Sequence, residues 1–148
     1  MVTRSQLLRG GSTAAVFVLF MLGACASMAG SSVTVSSTLS SAAEVPPNQS
    51  PATGTLTGRY DKQSKVLSWK LVYTGLSGPA TMAHFHGPAM AGENAGVVVP
   101  LANPASAVES TATLTDAQAT DLLAGKWYIN VHTAANPGGE IRGQLMIK

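Results

Sequence analysis

Three histidines occur in the chain, and two of them, His84 and His86, stand two residues apart. On a β-strand that spacing puts both imidazoles on one side, about 7 Å apart along the backbone, near enough to reach one ion. The third, His132, closes another β-patterned stretch. Alternation there groups His132 with Tyr128 and Asn130, opposite Trp127, Ile129 and Val131. Imidazole is a common ligand of copper and zinc, and three converging rings suit either; copper is the candidate cofactor. Glu140 would add an oxygen ligand or hold an imidazole through its second nitrogen. Arg142 shares a strand face with Glu140 and would pair with it, bind loop backbone or draw in an anion. Glu44, beside Pro46-Pro47, would reach a loop amide or the same polar face. The competing use of these histidines is structural: polar side chains bonding loops at strand ends, with no ion.

Other chemistries find no support. The one cysteine is Cys25, which leaves no thiol for a nucleophile within the domain and no internal disulfide. A glycine-rich phosphate loop and a serine elbow are both missing, so hydrolytic catalysis is not expected and no catalytic residue is assigned. Arg4 and Arg9 hold two of the nine basic residues, leaving seven against seven acidic ones. A neutral domain has no electrostatic footprint for nucleic acid.

Those elements need a compartment and a scaffold. Arg4 and Arg9 precede an apolar run at 13–24, TAAVFVLFMLGA, which has the length of a signal-peptide core and is too short to span a membrane. Leu22-Gly23-Ala24-Cys25 resembles the lipobox of bacterial lipoproteins. That resemblance implies a signal peptide at 1–24, lipid on Cys25, and a membrane anchor made of several acyl chains. Ala26 in place of Asp favours outer-membrane sorting in such proteins. The expected location is therefore extracytoplasmic: outer membrane facing the periplasm, or cell surface. Residues 25–37 read as the lipidated Cys and a flexible tether, with strand character beginning near Val33.

The folded domain is expected at 38–148. Strand patterns fall near 33–40, 54–60, 66–74, 80–86, 96–102, 108–113, 126–132 and 139–147, separated by turn residues such as Gly78-Pro79, Gly87-Pro88 and Asn136-Pro137-Gly138-Gly139. One helix starts from a capping box, with Thr115 as N-cap and Gln118 three residues on, and stops at Gly125. Short strands at this spacing predict an all-β domain, an antiparallel Greek-key sandwich or barrel with one short helix. The apolar sets, among them Leu67, Trp69 and Leu71, must face the core. By the same alternation His84, His86, His132, Glu140 and Arg142 project from the outer faces of their sheets.

From about residue 38 to the end the chain resembles the CHRD domain, a module found in chordin and in many exported bacterial proteins. The segments that carry the likeness are Ala43-Glu44-Val45-Pro46-Pro47, Gly54–Gly58, the block from Ala83 to Ala89, and YINVHTAANPGGEIRGQL at 128–145. The resemblance implies an immunoglobulin-like or Greek-key β fold, no established enzymatic activity, and an extracytoplasmic protein partner, since chordin binds growth factors. A more distant likeness is to copper/zinc superoxide dismutases, where an H-x-H-G pair and a late V-H supply copper ligands and a later Arg guides the anion. It would make His84, His86 and His132 ligands and Arg142 the guide. The bridging and zinc histidines, the disulfide and the zinc loop have no counterpart here. Three functions follow as expectations: an envelope lipoprotein whose domain binds a transition metal, a structural or adhesive interaction module without metal, and a copper-only redox enzyme resembling a dismutase.

Overall fold

The computed structural model describes residues 31–148; the signal segment and Cys25 lie outside the described residues. The strands are β1 (Ser32–Ser40), β2 (Thr53–Asp61), β3 (Val66–Thr74), β4 (Ala80–His86), β5 (Val97–Pro100), β6 (Val108–Thr113), β7 (Tyr128–Thr133), β8 (Ile141–Gln144) and β9 (Met146–Ile147). A single 3-10 turn, Ser41–Ala43, follows β1, and one helix, α1 (Asp116–Leu123), separates β6 from β7. The expected all-β fold with one short helix is present. Its strands form one antiparallel sheet in the order β5-β4-β7-β8-β1-β2-β3-β6, with β9 also on β1.

The sheet curls into a nearly closed barrel. Trp69 of β3 meets Phe85 of β4 edge-on, with ring centroids 5.0 Å apart, although four strands lie between them in the sheet order. Only a sheet that folds back on itself brings those rings together. Val35, Leu39, Leu56, Leu71, Ile129 and Ile141 fill the same core. The helix follows the edge strand β6 in the chain and reaches the other edge strand, β5. Thr115 and Gln118 form the expected capping box, Leu122 is fully buried, and Gln118 Nε2 donates to the carbonyl of Val98 in β5 at 3.1 Å. An edge strand offers unpaired backbone, and Gln118 satisfies one such carbonyl of β5.

Two boundaries differ from the sequence reading. The domain begins earlier than residue 38: β1 starts at Ser32 and pairs with β2 from Ser32↔Asp61 onward, and Val35 is fully buried. The strand expected at 33–40 thus extends into the 25–37 segment, because Val35 is buried in the core and the whole of β1 pairs with β2. The final strand is also divided. Leu145 interrupts it, donating its N–H to Trp127 O at 2.9 Å, so that β8 pairs with β7 and β9 crosses to β1.

Where β8 passes β1, a glycine is required. A Cβ on Gly143 would collide with Ser37 Oγ and the carbonyl of Thr38. The backbone carbonyl can yield only if β1 and β8 separate. Gly143→Ala is therefore expected to destabilise the protein by about 1–3 kcal/mol, the usual cost of overpacking a filled site. Urea unfolding of the two proteins checks this, and equal midpoints would place β1 and β8 further apart than the structure does.

Candidate metal centre

The three histidines come together on the outer face of β4 and β7. Antiparallel register fixes this: Phe85↔Ile129 and Ala83↔Val131 point inward, so His84, opposite Asn130, and His86, opposite Tyr128, point outward beside His132. One ring nitrogen of each histidine lies within 4.8 Å of one from each of the others. His84 Nδ1 and His132 Nε2 are 3.2 Å apart, and the ring centroids of His84 and His86 are 5.5 Å apart.

The outer face is not a solvated one. His86 is 9% exposed, His132 6%, Asn130 3% and Arg142 2%. Two loops that alternation cannot foresee roof it. The 87–96 loop folds over His86 and Tyr128: Ala95 O lies 3.0 Å from His86 Nδ1, and Ala95 N donates to the Tyr128 hydroxyl at 3.2 Å. The turn after β7 brings Pro137 O to 2.9 Å from His132 Nδ1. Each carbonyl takes an N–H from the far side of its ring. That selects the tautomer whose Nε2 lone pair faces the other histidines, the arrangement metal-binding imidazoles use. Burial first, then the neighbouring histidines, holds His84 below the ordinary imidazole range. Burial and His86 do the same for His132, against the Pro137 carbonyl, which acts to raise it. Neutral rings are the form that binds metal.

Two residues that the sequence reading left out complete the site. Asn130 Oδ1 stands between two rings, 3.0 Å from His86 Nε2 and 2.9 Å from His132 Nε2. Tyr128 stacks on His86 with centroids 4.8 Å apart and planes 2° from parallel. Both share the His132 face of β7, so alternation placed them there; only the covering loops make them neighbours of the cluster.

Arg142 and Glu140 do not join the histidines as ligands. The Arg142 guanidinium lies 3.4 Å from the centre of the Tyr128 ring, on which it packs as a cation on an aromatic face. Its N–H groups donate to Asn94 Oδ1, at 2.9 Å, and to Glu93 O. It is a buried clamp on the 87–96 loop, and it touches the centre through Tyr128 rather than standing open to guide an anion. Glu140 departs from alternation altogether. Its N–H donates to Val131 O at 2.8 Å, yet Val131 pairs in register with Ile141, so two residues face one in the manner of a bulge. This turns the carboxylate away from Arg142 and the histidines. Ser50 Oγ and Ser77 N donate to Oε1 at 2.6 and 2.7 Å, and Ser77 Oγ and Thr133 Oγ1 donate to Oε2, both at 2.6 Å.

Glu44 lies on the other side of this region, under Gly139, with Oε1 buried and unpartnered. Gly139 has φ +130° and leaves room for that carboxyl where a Cβ would not.

The two acids have opposite effects on stability. Burial pushes Glu44 up to about 7 from its ordinary 4.5, with Arg142 opposing. Burial alone would raise Glu140 too, but the hydroxyl and amide donors of Ser50, Ser77 and Thr133 hold it down at about 2. A lowered carboxyl stabilises the fold above pH 4.5 and loses that contribution as pH falls towards 2; a raised one stabilises it below 4.5 and loses the contribution as pH rises through 7. Each displacement corresponds to about 3 kcal/mol. Stability is expected to be greatest near pH 4.5. Glu44→Gln should flatten the decline toward pH 8 and leave the acid side unchanged, as read by urea titrations at pH 3, 4.5 and 8. A wild-type decline equal to that of the variant would exonerate Glu44.

No curated protein and no solved structure matches the chain. The likeness to superoxide dismutases therefore rests on its motif alone. The family model described as the CHRD domain matches residues 35–145. That span runs from the middle of β1 through β8 and contains every residue of the histidine centre, so the chain belongs to the CHRD domain family.

Proposed function

We propose that this protein is a cell-envelope lipoprotein, anchored through Cys25, whose CHRD domain binds a transition metal through His84, His86 and His132, with copper the leading candidate. The observation that carries the reading is the convergence of three ring nitrogens within 4.8 Å while the opposite nitrogens of His86 and His132 are held by loop carbonyls. Rings used only to tie loops would need one nitrogen each; here the remaining nitrogens also gather around one another and Asn130 Oδ1. The donor set suits copper or zinc. The two carbonyl contacts also favour a second reading, an interaction module whose histidines merely hold the 87–96 and 134–139 loops.

Equilibrium dialysis of the purified protein with copper separates the two. Stoichiometric uptake is expected, and it should vanish in the His84→Ala/His86→Ala double variant. Wild-type protein that takes up no copper would leave the loop-holding role in possession. Affinity should also hold constant above the ordinary imidazole value of 6.5 and weaken below it, because a protonated ring cannot ligate. Because burial holds these rings below the ordinary range, the loss sets in on the acid side of 6.5, and uptake still undiminished at pH 4 would argue against histidine ligation.

The anchor has its own test. Cys25→Ser should move the protein from the membrane fraction to a soluble or uncleaved form and abolish lipid labelling, since stable attachment depends on the acyl chains. Unchanged membrane fractionation with no label on wild type would refute lipidation.

A further inference from the structure

We infer that Asn130 is the fourth ligand of this centre, which makes it a three-nitrogen, one-oxygen site for a divalent ion; the inference rests on the metal reading above. Its warrant is spacing. Asn130 Oδ1 lies 3.0 Å from His86 Nε2 and 2.9 Å from His132 Nε2, and His132 Nε2 lies 3.2 Å from His84 Nδ1. In a tetrahedral shell with bonds of 2.0–2.1 Å, donors sit about 3.3 Å from one another. Three consecutive donor separations come close to that value before any ion is considered.

The chemistry of the contacts points the same way. The far nitrogens of His86 and His132 give their N–H to Ala95 O and Pro137 O. Their Nε2 atoms then carry lone pairs, and so does an amide oxygen. Lone pairs facing lone pairs at 3 Å repel unless a proton or a cation lies among them, and a cation resolves all the contacts at once. The orientation of the amide has independent support on its other side. Asn130 Nδ2 and Glu44 Oε1 border the same point over Gly139, where a Cβ would stand 2.8 Å from that nitrogen. Glu44 Oε1 is a buried oxygen with no hydrogen-bond partner. The nitrogen of the amide thus lies on the side of this carboxyl and the oxygen on the side of the cluster; turned round, the amide would put its oxygen on the carboxyl side.

An oxygen donor changes what the site prefers. Amide oxygen suits divalent ions, whereas Cu(I) is matched by thiolate and thioether. The centre is consequently a site for Cu(II), Zn(II) or Co(II).

Cobalt(II) titration of the full chain in mild detergent, followed by its visible absorption, tests the assignment in wild type, Asn130→Ala and Asn130→Asp. Asn130→Ala should bind about tenfold or more weakly, with altered absorption bands, because one donor is lost. Asn130→Asp places a charged oxygen at the same position and should bind at least as tightly as wild type. If the side chain served instead by donating N–H to the imidazoles, Asp would fail as badly as Ala, and that result overturns the assignment. Equal affinity of wild type and Asn130→Ala overturns it as well, while leaving the histidine centre in place. Wild-type protein that binds no cobalt overturns both readings together. Should Asn130→Ala not fold, the comparison of Asn130→Asp with wild type still decides between a gain and a loss.

Discussion

A buried carboxylate governs how this centre is assembled. Glu140 is fully buried, and an unpaired charge in that position would be prohibitive. Its four hydrogen bonds come from three different segments: Ser50 ahead of β2, Ser77 ahead of β4, and Thr133 at the end of β7. The backbone carbonyl of Glu140 strengthens the first of these links by accepting from Asn48 Nδ2 at 3.0 Å. Each of those segments leads into a strand or turn that the histidines need. The Ser77 segment sets where β4 begins, and β4 carries His84 and His86. Thr133 begins the turn that presents Pro137 O to His132. Charge-assisted bonds of this kind are short and directional, so the carboxylate sets the relative position of these segments and not merely their proximity.

The second organising feature is a stack rather than a charge. Arg142 lies on Tyr128, and Tyr128 lies on His86. A histidine in an open sheet face would sample several rotamers. Here its ring plane is set by an aromatic neighbour whose own far face is occupied by a guanidinium. The same guanidinium holds the 87–96 loop through Glu93 and Asn94, and that loop supplies the carbonyl on His86 Nδ1. Ring plane and tautomer are thus set by one connected group, which reduces the ordering left to be done when a ligand arrives.

Much of this was legible in the residues. Alternation in 66–74, 80–86 and 126–132 placed the core on one side and the histidines on the other, because a period of two has only one register that buries Trp69, Phe85 and Ile129 together. The capping box at Thr115 and Gln118 read directly as a helix start. What alternation could not carry is anything beyond a single strand. It left the outer face exposed, since the loops that cover it are held by Arg142, Tyr128 and Asn94, residues far apart in the chain. It misplaced Glu140, because a one-residue irregularity beside Val131 reverses the face of the next side chain. It passed over Asn130, whose amide gains a role only when His86 arrives from a neighbouring strand.

These features together bear on why three histidines are gathered at all. A domain that needed only to fasten two loops has simpler means, as Asn94 shows by fastening the 87–96 loop to Val45 O at 3.0 Å with an amide. Burial under a roof disfavours a protonated ring, and the neighbouring histidines repel it further, which is why His84 and His132 are held below the ordinary range. A cluster that resists protonation, turns its lone pairs inward and carries its N–H groups outward to fixed carbonyls is costly as a fastening and well suited as a cation receptor. The equal number of acidic and basic residues beyond Arg9 fits that view: such a receptor would draw a cation locally, through directed lone pairs, without an acidic field around it.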